Sequence, residues 1–362
     1  MKKNLRNILA LALGLMTTVS FAQDWNVDSR TRIDMSGDND KMTTSQSTTV
    51  GTSWGGSDWG IVLSSNVFYN TNDQSVVNAD VYEAYASTNL FGFATMNIGR
   101  QALEYGSGVF IGKNAWSMND RNTVDGMTFA IDNDFVTLDL GLNNENNGVA
   151  DYAGDEDGTG STSNYSADRM WLNASKSSGD WSANLFYATS TVNDGAESTQ
   201  MGLDFAYSAM GGALDLNVSY NTSNDGTDEG DMMDISGTYN VNDDMNLTAG
   251  RTSVGDKGFA YGDGGNMSGS WTETGNLGAL LANDEDMYVG GSYNMGAFSL
   301  GAMMHTITNT EDDDAERNAS QVSVGYTLGD NASLSYSLVT DDMGGGDNAE
   351  MNYNYLTLTI GL

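Results

Sequence analysis

The sequence has no cysteine and no proline, contains a single histidine, and carries 14 lysines and arginines against 49 aspartates and glutamates. The absence of cysteine is compatible with an oxidising compartment but does not identify one. The absence of proline suits a chain built mostly of paired strands, because proline removes a donor from the ladder. A formal net charge of −35 repels nucleic acid, so DNA and RNA are excluded as expected partners.

Long apolar runs are also scarce. Residues 2–6 carry three basic groups, residues 8–16 are apolar, and residues 20–22 are Ser-Phe-Ala. This arrangement predicts a secretory signal peptide over residues 1–22, with cleavage after Ala22. The apolar run is much shorter than the roughly 20 residues of a membrane-spanning helix, and nothing after Ala22 resembles such a helix. Loss of the signal peptide removes three bases and changes the net charge from −35 to −38.

What the sequence does have is a strict alternation of apolar and polar residues. In the last segment, 350–362, one face collects every large aliphatic side chain: Leu356, Leu358, Ile360 and Leu362. A period of two is typical of a strand that lies between two different environments. A strand that ends the chain must still pair its backbone groups, and the first strand, near 24–35, is the obvious partner. The sequence therefore predicts a closed barrel, sealed by its first and last strands.

The same alternation recurs in 18 segments between residue 24 and the C-terminus, among them predicted strands near 134–144 and 318–328. Segments of about 10 residues match tilted transmembrane strands, and the connections between them are alternately short and long, as in outer-membrane barrels. Aromatic residues at strand ends are typical of interface girdles: Trp25, Tyr69, Tyr187, Tyr207 and Tyr220. We predict an all-β fold, a transmembrane antiparallel barrel over residues 23–362, with 18 strands or, as the alternative, 16. A large secreted sandwich or solenoid alternates in the same way and is the competing fold, whereas aromatic residues kept in phase disfavour disorder.

One segment, residues 93–131, differs from the general pattern. It contains Gly99-Arg100-Gln101, Tyr105-Gly106, Trp116, Arg121 and Asp125-Gly126. Over about 40 residues this segment resembles the alginate-export-type outer-membrane porins, in which a glycine-arginine-glutamine strand end, a tyrosine-glycine, a loop tryptophan and an arginine precede an aspartate-glycine. The resemblance implies an 18-stranded channel, which agrees with the strand count made from alternation alone.

The resemblance also implies that the third outer loop, 105–122, folds inward and narrows the channel. The constriction would then be lined by four loop residues, with Arg100 and Gln101 below them: Lys113, Trp116, Asp120 and Arg121. An alternative interpretation is that Arg100 pairs with Asp125 and anchors the loop without meeting solute. The alternation sets Arg100 on the lipid side beside Ile98, so either a bulge intervenes there or the side chain lies at the level of the lipid headgroups.

The charge of the predicted inner face bears on the solute. Alternation directs three bases inward, namely Arg30, Arg32 and Arg169. It directs six acids inward: Asp28, Asp34, Asp139, Asp204, Asp215 and Asp234. An anionic polymer such as alginate needs a lumen rich in arginine and lysine, so this balance favours neutral or cationic solutes.

The remaining features give weaker predictions. Acidic runs fall in predicted outer loops, where Asp151, Asp155 and Asp157 could bind Ca²⁺, although no run matches a complete calcium-binding loop and solvated surface charge is the simpler interpretation. His305 is predicted to face the lumen without a neighbouring acid on its own strand, and no nucleophile motif accompanies it, so an enzyme is disfavoured.

Taken together, these patterns predict a porin of the Gram-negative outer membrane, with no cofactor apart from the loop calcium, that passes small hydrophilic solutes or ions. Lipid and lipopolysaccharide are expected partners. A homotrimer is considered because trimers are common among porins, but no interface patch argues for it. The alternative is a plugged or structural barrel whose acidic loops serve adhesion or cation binding.

Overall fold

The structure, a computed structural model, describes residues 22–36, 42–71, 77–112, 122–149, 163–192, 197–260, 280–312, 316–342 and 350–361. It contains 18 strands: β1 (Ala22–Asp34), β2 (Thr43–Gly55), β3 (Trp59–Asn70), β4 (Val77–Leu90), β5 (Ala94–Gln101), β6 (Val124–Ile131), β7 (Thr137–Val149), β8 (Ser163–Ser178), β9 (Trp181–Val192), β10 (Glu197–Ala209), β11 (Leu214–Asn224), β12 (Glu229–Asn242), β13 (Met245–Val254), β14 (Asp284–Met295), β15 (Phe298–Asn309), β16 (Glu316–Gly329), β17 (Ala332–Asp342) and β18 (Glu350–Gly361). Residues 1–21 of the predicted signal peptide lie outside the described residues.

Each strand pairs antiparallel with its neighbours in sequence, and β1 also pairs with β18, so the sheet is closed. Arg32 stands opposite Thr357 across this closing pair, and Asp34 stands opposite Tyr355. The predicted 18-stranded antiparallel barrel and its closure by the first and last strands are therefore confirmed. Closure removes both sheet edges, which leaves no exposed row of unpaired backbone groups.

The alternation of apolar and polar residues in the sequence corresponds to the outer and inner faces of the barrel wall. On β14, Asp286 and Tyr288 are 0% and 6% exposed, while Met287 and Val289 between and beside them are 59% and 57% exposed. In a soluble protein the apolar side chains are inside, whereas here leucine, phenylalanine and tyrosine side chains cover the outer wall all around the barrel. Such a surface is stable only against lipid.

The connections at one end of the barrel are all short, as predicted, but those at the other end range from four residues after β9 and β11 to 29 after β13, so the predicted alternation in length fails at those two connections. The short ones occupy residues 56–58, 91–93, 132–136, 179–180, 210–213, 243–244, 296–297 and 330–331, all at one end of the barrel. Exposed aromatic side chains lie at or next to this end, at the depth of a membrane interface: Trp59, Phe91, Phe93, Phe135, Trp181 and Phe298. Short turns mark the periplasmic end of a bacterial outer-membrane barrel, and the protein is accordingly a barrel of the Gram-negative outer membrane.

Within the described ranges, no helix has the length and apolar character needed to cross a membrane.

Candidate functional site

Residues 102–112, which follow β5, turn into the barrel and lie against the inner wall. The Ser107 backbone N–H donates to Asp204 Oδ2 on β10 at 3.1 Å. Arg169 on β8 donates through Nη2 to the carbonyl oxygen of Phe110 at 3.4 Å and to Gln200 Oε1 at 2.8 Å. Two charged side chains of the wall thus hold the backbone of one loop.

This segment, residues 102–112, is preshaped by its own hydrogen bonds. The Gly108 N–H donates to the Tyr105 carbonyl at 2.9 Å, and the Tyr105 N–H donates to the Ile111 carbonyl at 3.1 Å. Gly106 has a φ of +56°, which side chains rarely adopt, and a Cβ there would collide with the Asp204 carboxylate. The Tyr105-Gly106 pair found in the sequence is therefore the point where the loop meets the wall.

Behind these polar contacts is an apolar loop cluster. The cluster contains Val109, Phe110 and Ile111 of this segment and Leu280 of the connection that follows β13. The wall contributes Val124, Trp171, Phe186, Ala188, Met232, Val254 and Ile307. Phe110 stacks on Phe186 with ring centroids 5.6 Å apart, and Tyr105 stacks on the same ring at 5.9 Å. Burial raises the pKa of the Tyr105 phenol, which belongs to the loop, to about 12, so the ring stays neutral.

Residues 255–260, the described start of a second loop that follows β13, support the first loop segment. The Ala260 N–H donates to Ser223 Oγ on β11 at 3.0 Å, and the Gly255 N–H donates to the Asp231 carbonyl at 2.9 Å. The Phe259 ring lies 5.6 Å from that of Phe110. The two inward loops therefore contact each other inside the barrel, an association that alternation within strands cannot reveal.

The side chains of the Gly99-Arg100-Gln101 motif at the end of β5 lie on both faces of the barrel wall. Arg100 donates to Asp125 through Nε at 2.7 Å and through Nη2 at 2.6 Å, on the outer face. Gln101 faces inward, is 3% exposed, and accepts from Thr128 Oγ1 at 2.9 Å. Next to the Arg100–Asp125 pair in the ladder, Gly99 stands opposite Gly126. The Arg100–Asp125 ion pair suggested by the sequence is present, whereas its role in anchoring the loop remains a prediction.

Arg30 and Arg32 lie on the inner face of β1, on the opposite side of the barrel from the apolar loop cluster. Arg30 Nε lies 3.5 Å from Asp28 Oδ1. The Arg32 guanidinium lies over the Tyr355 ring at 4.8 Å from its centroid, a cation–π geometry. The guanidinium groups of this wall are thus engaged with neighbouring wall residues.

Sequence reasoning missed a further inward arginine. Arg317 donates to both carboxylate oxygens of Asp341 at 2.7 Å, with side chains 14% and 4% exposed. The sequence assigned Arg317 to an outer loop because the predicted strand began one residue later, at 318. Its spacing of two residues from Ala319 and four from Gln321, which continues the inward phase of β16, is the signal that could have identified it.

The single histidine is part of a buried pair that the sequence also missed. His305 Nδ1 lies 2.9 Å from Asp286 Oδ2, and the side chains are 1% and 0% exposed. The acid comes from β14, one strand away, so it is invisible to a search along β15 alone. The Tyr288 ring packs beside the imidazole at 5.6 Å. Burial closes this pair to solutes in the lumen.

Several predicted site residues lie outside the described residues. These are the loop residues Lys113, Trp116, Asp120 and Arg121 of the predicted constriction and the predicted calcium ligands Asp151, Asp155 and Asp157. Among the described residues, no group of three acidic, histidine or cysteine side chains is arranged to hold a metal ion.

Comparison with known proteins identifies the fold. No family model matches the chain, and no curated protein matches it. Among solved structures, Pseudomonas aeruginosa OccK11 (OpdR) is 14% identical with a TM-score of 0.70, over 94% of this chain and 96% of that one. OccK2 (OpdF) in complex with glucuronate, from the same organism, is 12% identical with a TM-score of 0.74, over 95% and 99%.

A third structure, P. aeruginosa OpdK with vanillate, is 11% identical with a TM-score of 0.72, over 95% of this chain and 100% of that one. These proteins are outer-membrane porins with 18-stranded barrels. At such identities the likeness concerns the fold alone, and it confirms the predicted 18-stranded barrel, the architecture that these porins have. Membership of the alginate-export-type family stays a prediction.

Proposed function

We propose that the barrel is a passive diffusion channel for small hydrophilic solutes or ions, constricted by its third outer loop. The observation that carries this proposal is the inward segment 102–112. Hydrogen bonds to Asp204 and Arg169 hold it against one wall, so it reduces the cross-section of the lumen. An enzymatic role has no comparable support, since the His305–Asp286 pair is closed to solute.

The narrowest part of the channel would be completed by the residues that follow this segment. The alginate-export-type resemblance implies that Lys113, Trp116, Asp120 and Arg121 line it, and Ile111, which lies inside the barrel at 2% exposure, leads directly into them. Arg30 and Arg32 would line the lumen on the side opposite the loop, and Gln101 would lie at the base of the loop. Arg169 would act chiefly by holding the loop backbone.

We further propose a preference for neutral or cationic solutes. Inward acids outnumber inward arginines on the described strands. Arg30 and Arg317 each lie beside an acid, at 3.5 Å and 2.7 Å, which weakens their attraction for a passing anion. The titles of two structural neighbours name the anions glucuronate and vanillate. Transfer of that preference to this chain would depend on the positive charge of the inward Arg32, whose guanidinium lies over the Tyr355 ring.

Reconstitution in planar bilayers tests the channel and its selectivity together. We expect discrete conductance steps in KCl, and in a salt gradient a reversal potential of the sign that denotes cation preference. Failure to conduct at any salt concentration would rule out the diffusion channel. A reversal potential of the opposite sign would be consistent with a diffusion channel, but it would contradict the cation preference and favour anionic solutes such as carboxylates.

A second candidate, a plugged or structural barrel, is favoured by the apolar loop cluster, because apolar side chains inside a lumen obstruct water and ions. Excision of residues 103–111 separates the two. A constricted channel should gain conductance severalfold over an already measurable value, whereas a plugged barrel should pass from no conductance to a measurable one.

The outer loops would meet lipopolysaccharide, and Ca²⁺ held by Asp151, Asp155 and Asp157 could bridge the two anionic surfaces. Replacing these three by asparagine should abolish any calcium-dependent rise in the melting temperature. A rise that persists in the triple variant would place the cation elsewhere. Size-exclusion chromatography with light scattering on the purified barrel would test the homotrimer.

A further inference from the structure

A cavity of about 300 Å³ opens from the lumen into the wall formed by β1–β4. Its lining includes Asp24, Asn26, Asp28 and Glu83, together with Ser64 and Tyr82. Asp24 stands opposite Ser53, two residues before the periplasmic turn that follows β2. The cavity therefore lies toward the periplasmic end, on the far side of Arg30 from the outer loops.

The charge of this cavity is negative. Asp28 lies 3.5 Å from Arg30 Nε, so this arginine compensates part of the negative charge of Asp28. Asp24 and Glu83 have no ion-pair partner in the described part of the chain. Two carboxylates with water-accessible space between them and no counter-charge favour a cation, and the low-dielectric wall strengthens that attraction.

The strand pairing brings an aromatic ring to the same place. Ser64 pairs with Glu83 while the next residue, Ser65, pairs with Val81, so Tyr82 is an extra residue in a β-bulge. A bulge redirects a side chain, and bulges recur next to binding sites. Here it sets Tyr82 and Glu83 side by side in the cavity lining. An aromatic face beside carboxylates is a recognised environment for organic cations.

The cavity lining also contains a buried hydroxyl group that has no hydrogen-bond partner within the described structure. Ser64 is 5% exposed, and its Oγ makes no hydrogen bond within the described structure. Buried hydroxyl groups normally have a partner, and an unused one costs free energy unless a ligand or water supplies the partner. Because a hydroxyl oxygen can accept as well as donate, Ser64 could accept a hydrogen bond from an ammonium group.

We propose that this cavity is a subsite of the channel for the ammonium group of a small organic amine. Its carboxylates would be Asp24, Asp28 and Glu83, its neutral acceptor Ser64, and its aromatic wall Tyr82. The described acids are not grouped closely enough to hold a metal ion, whereas a primary ammonium with three N–H donors on a flexible chain can reach acceptors spread over such a volume. The role of the subsite in transport rests on the proposed diffusion channel; its occupancy by an amine does not.

Titration calorimetry on the detergent-solubilised barrel, with 1,4-diaminobutane as the probe, tests occupancy directly. We expect binding that the uncharged 1,4-butanediol does not reproduce. The D24N/E83Q double variant should bind about tenfold more weakly, because two charge-assisted contacts are lost, and S64A severalfold more weakly. D58N is the matched control, since Asp58 is an exposed acid of the same periplasmic end that accepts from Ser57 at 2.9 Å outside the cavity.

Equal affinity of the double variant and D58N, or no binding of the diamine to the unaltered barrel, would overturn the subsite. Bilayer recordings then separate the two proposals. Voltage-dependent block of KCl current by the diamine, weakened in the double variant, is the expected result. Calorimetric binding without any KCl conductance would remove the diffusion channel and leave the subsite standing, and conductance without binding would do the reverse.

Discussion

The inner face of this barrel has two unlike regions. The loop-packed wall, formed by β8–β13, carries apolar side chains such as Trp171, Phe186 and Met232, which are 4% or less exposed beneath the inward loops. The polar wall, formed by β18 and β1–β4, carries serine, threonine, asparagine, arginine and acids. On this wall Ser47 Oγ donates to Asn66 Oδ1 at 2.8 Å, so polar groups bond one another.

The difference teaches where the barrel is filled and where solute can pass. Burial of apolar area stabilises a loop against a wall, at about 25 cal/mol per Å². A polar wall gains nothing from such a loop, because covering its hydrogen-bonding groups would cost desolvation. The loops therefore settle on one side, and the lumen remains adjacent to the other.

The largest expected effect comes from loosening the loop-packed wall. Replacing Phe110 and Phe186 by alanine together removes a stacked pair from the apolar loop cluster, and substitutions of buried phenylalanine cost about 3–5 kcal/mol each. We expect the segment to detach and single-channel conductance to rise severalfold. F91A, which removes a ring that is 95% exposed outside the barrel, is the control. Unchanged conductance in the double variant would mean that the loop does not narrow the lumen.

A smaller effect is expected from the polar anchor of the same loop. Asp204→Ala leaves the Ser107 N–H without its carboxylate partner, at a cost of about 1–3 kcal/mol. The loop should then sample detached states, seen as increased open-channel noise and faster proteolysis near residue 107. Asp215→Ala makes the matched control, because Asp215 accepts from Ser208 at 2.7 Å away from the loop. Equal noise in both variants would contradict an anchoring role for Asp204.

On the polar wall, Arg32→Gln should change selectivity and leave conductance nearly unaltered. Removal of one positive charge beside Tyr355 should increase the cation-to-anion permeability ratio by about twofold or less, since salt screens the remaining field. Reversal potentials in a KCl gradient provide the measurement. Arg100→Gln removes an arginine from the outer face and should leave the ratio unchanged. If the two variants shift it equally, Arg32 does not face the permeating ions.

The smallest effect is expected outside both walls. The Arg100–Asp125 pair is bidentate, but its side chains are 38% and 51% exposed, so its contribution is within about 0–1 kcal/mol. Arg100→Gln should therefore lower the melting temperature slightly and leave conductance unaltered. A large rise in conductance would instead indicate that this outer pair, as the sequence suggested, anchors the third loop.

Much of the architecture followed from alternation, and the misses have identifiable causes. The predicted start of a strand at 134 is three residues early, because Asn133 Oδ1 accepts from the N–H groups of Phe135 and Val136 and forms a turn there. The late predicted start of β16 concealed Arg317. Both errors concern strand ends. Before β7 the side-chain hydrogen bonds of Asn133 compete with the ladder, whereas β16 begins two residues before the predicted start.

The sequence by itself determined which residues face lipid, how many strands close the barrel and which strands meet, because a period of two and the alternation of turn lengths are local properties. Only the tertiary structure decided what lies inside. The contact of Phe110 with Phe259, the His305–Asp286 pair and the cavity beside Tyr82 each join residues from different strands or loops. Closure of the sheet fixes those distances, and no periodicity along one strand encodes them.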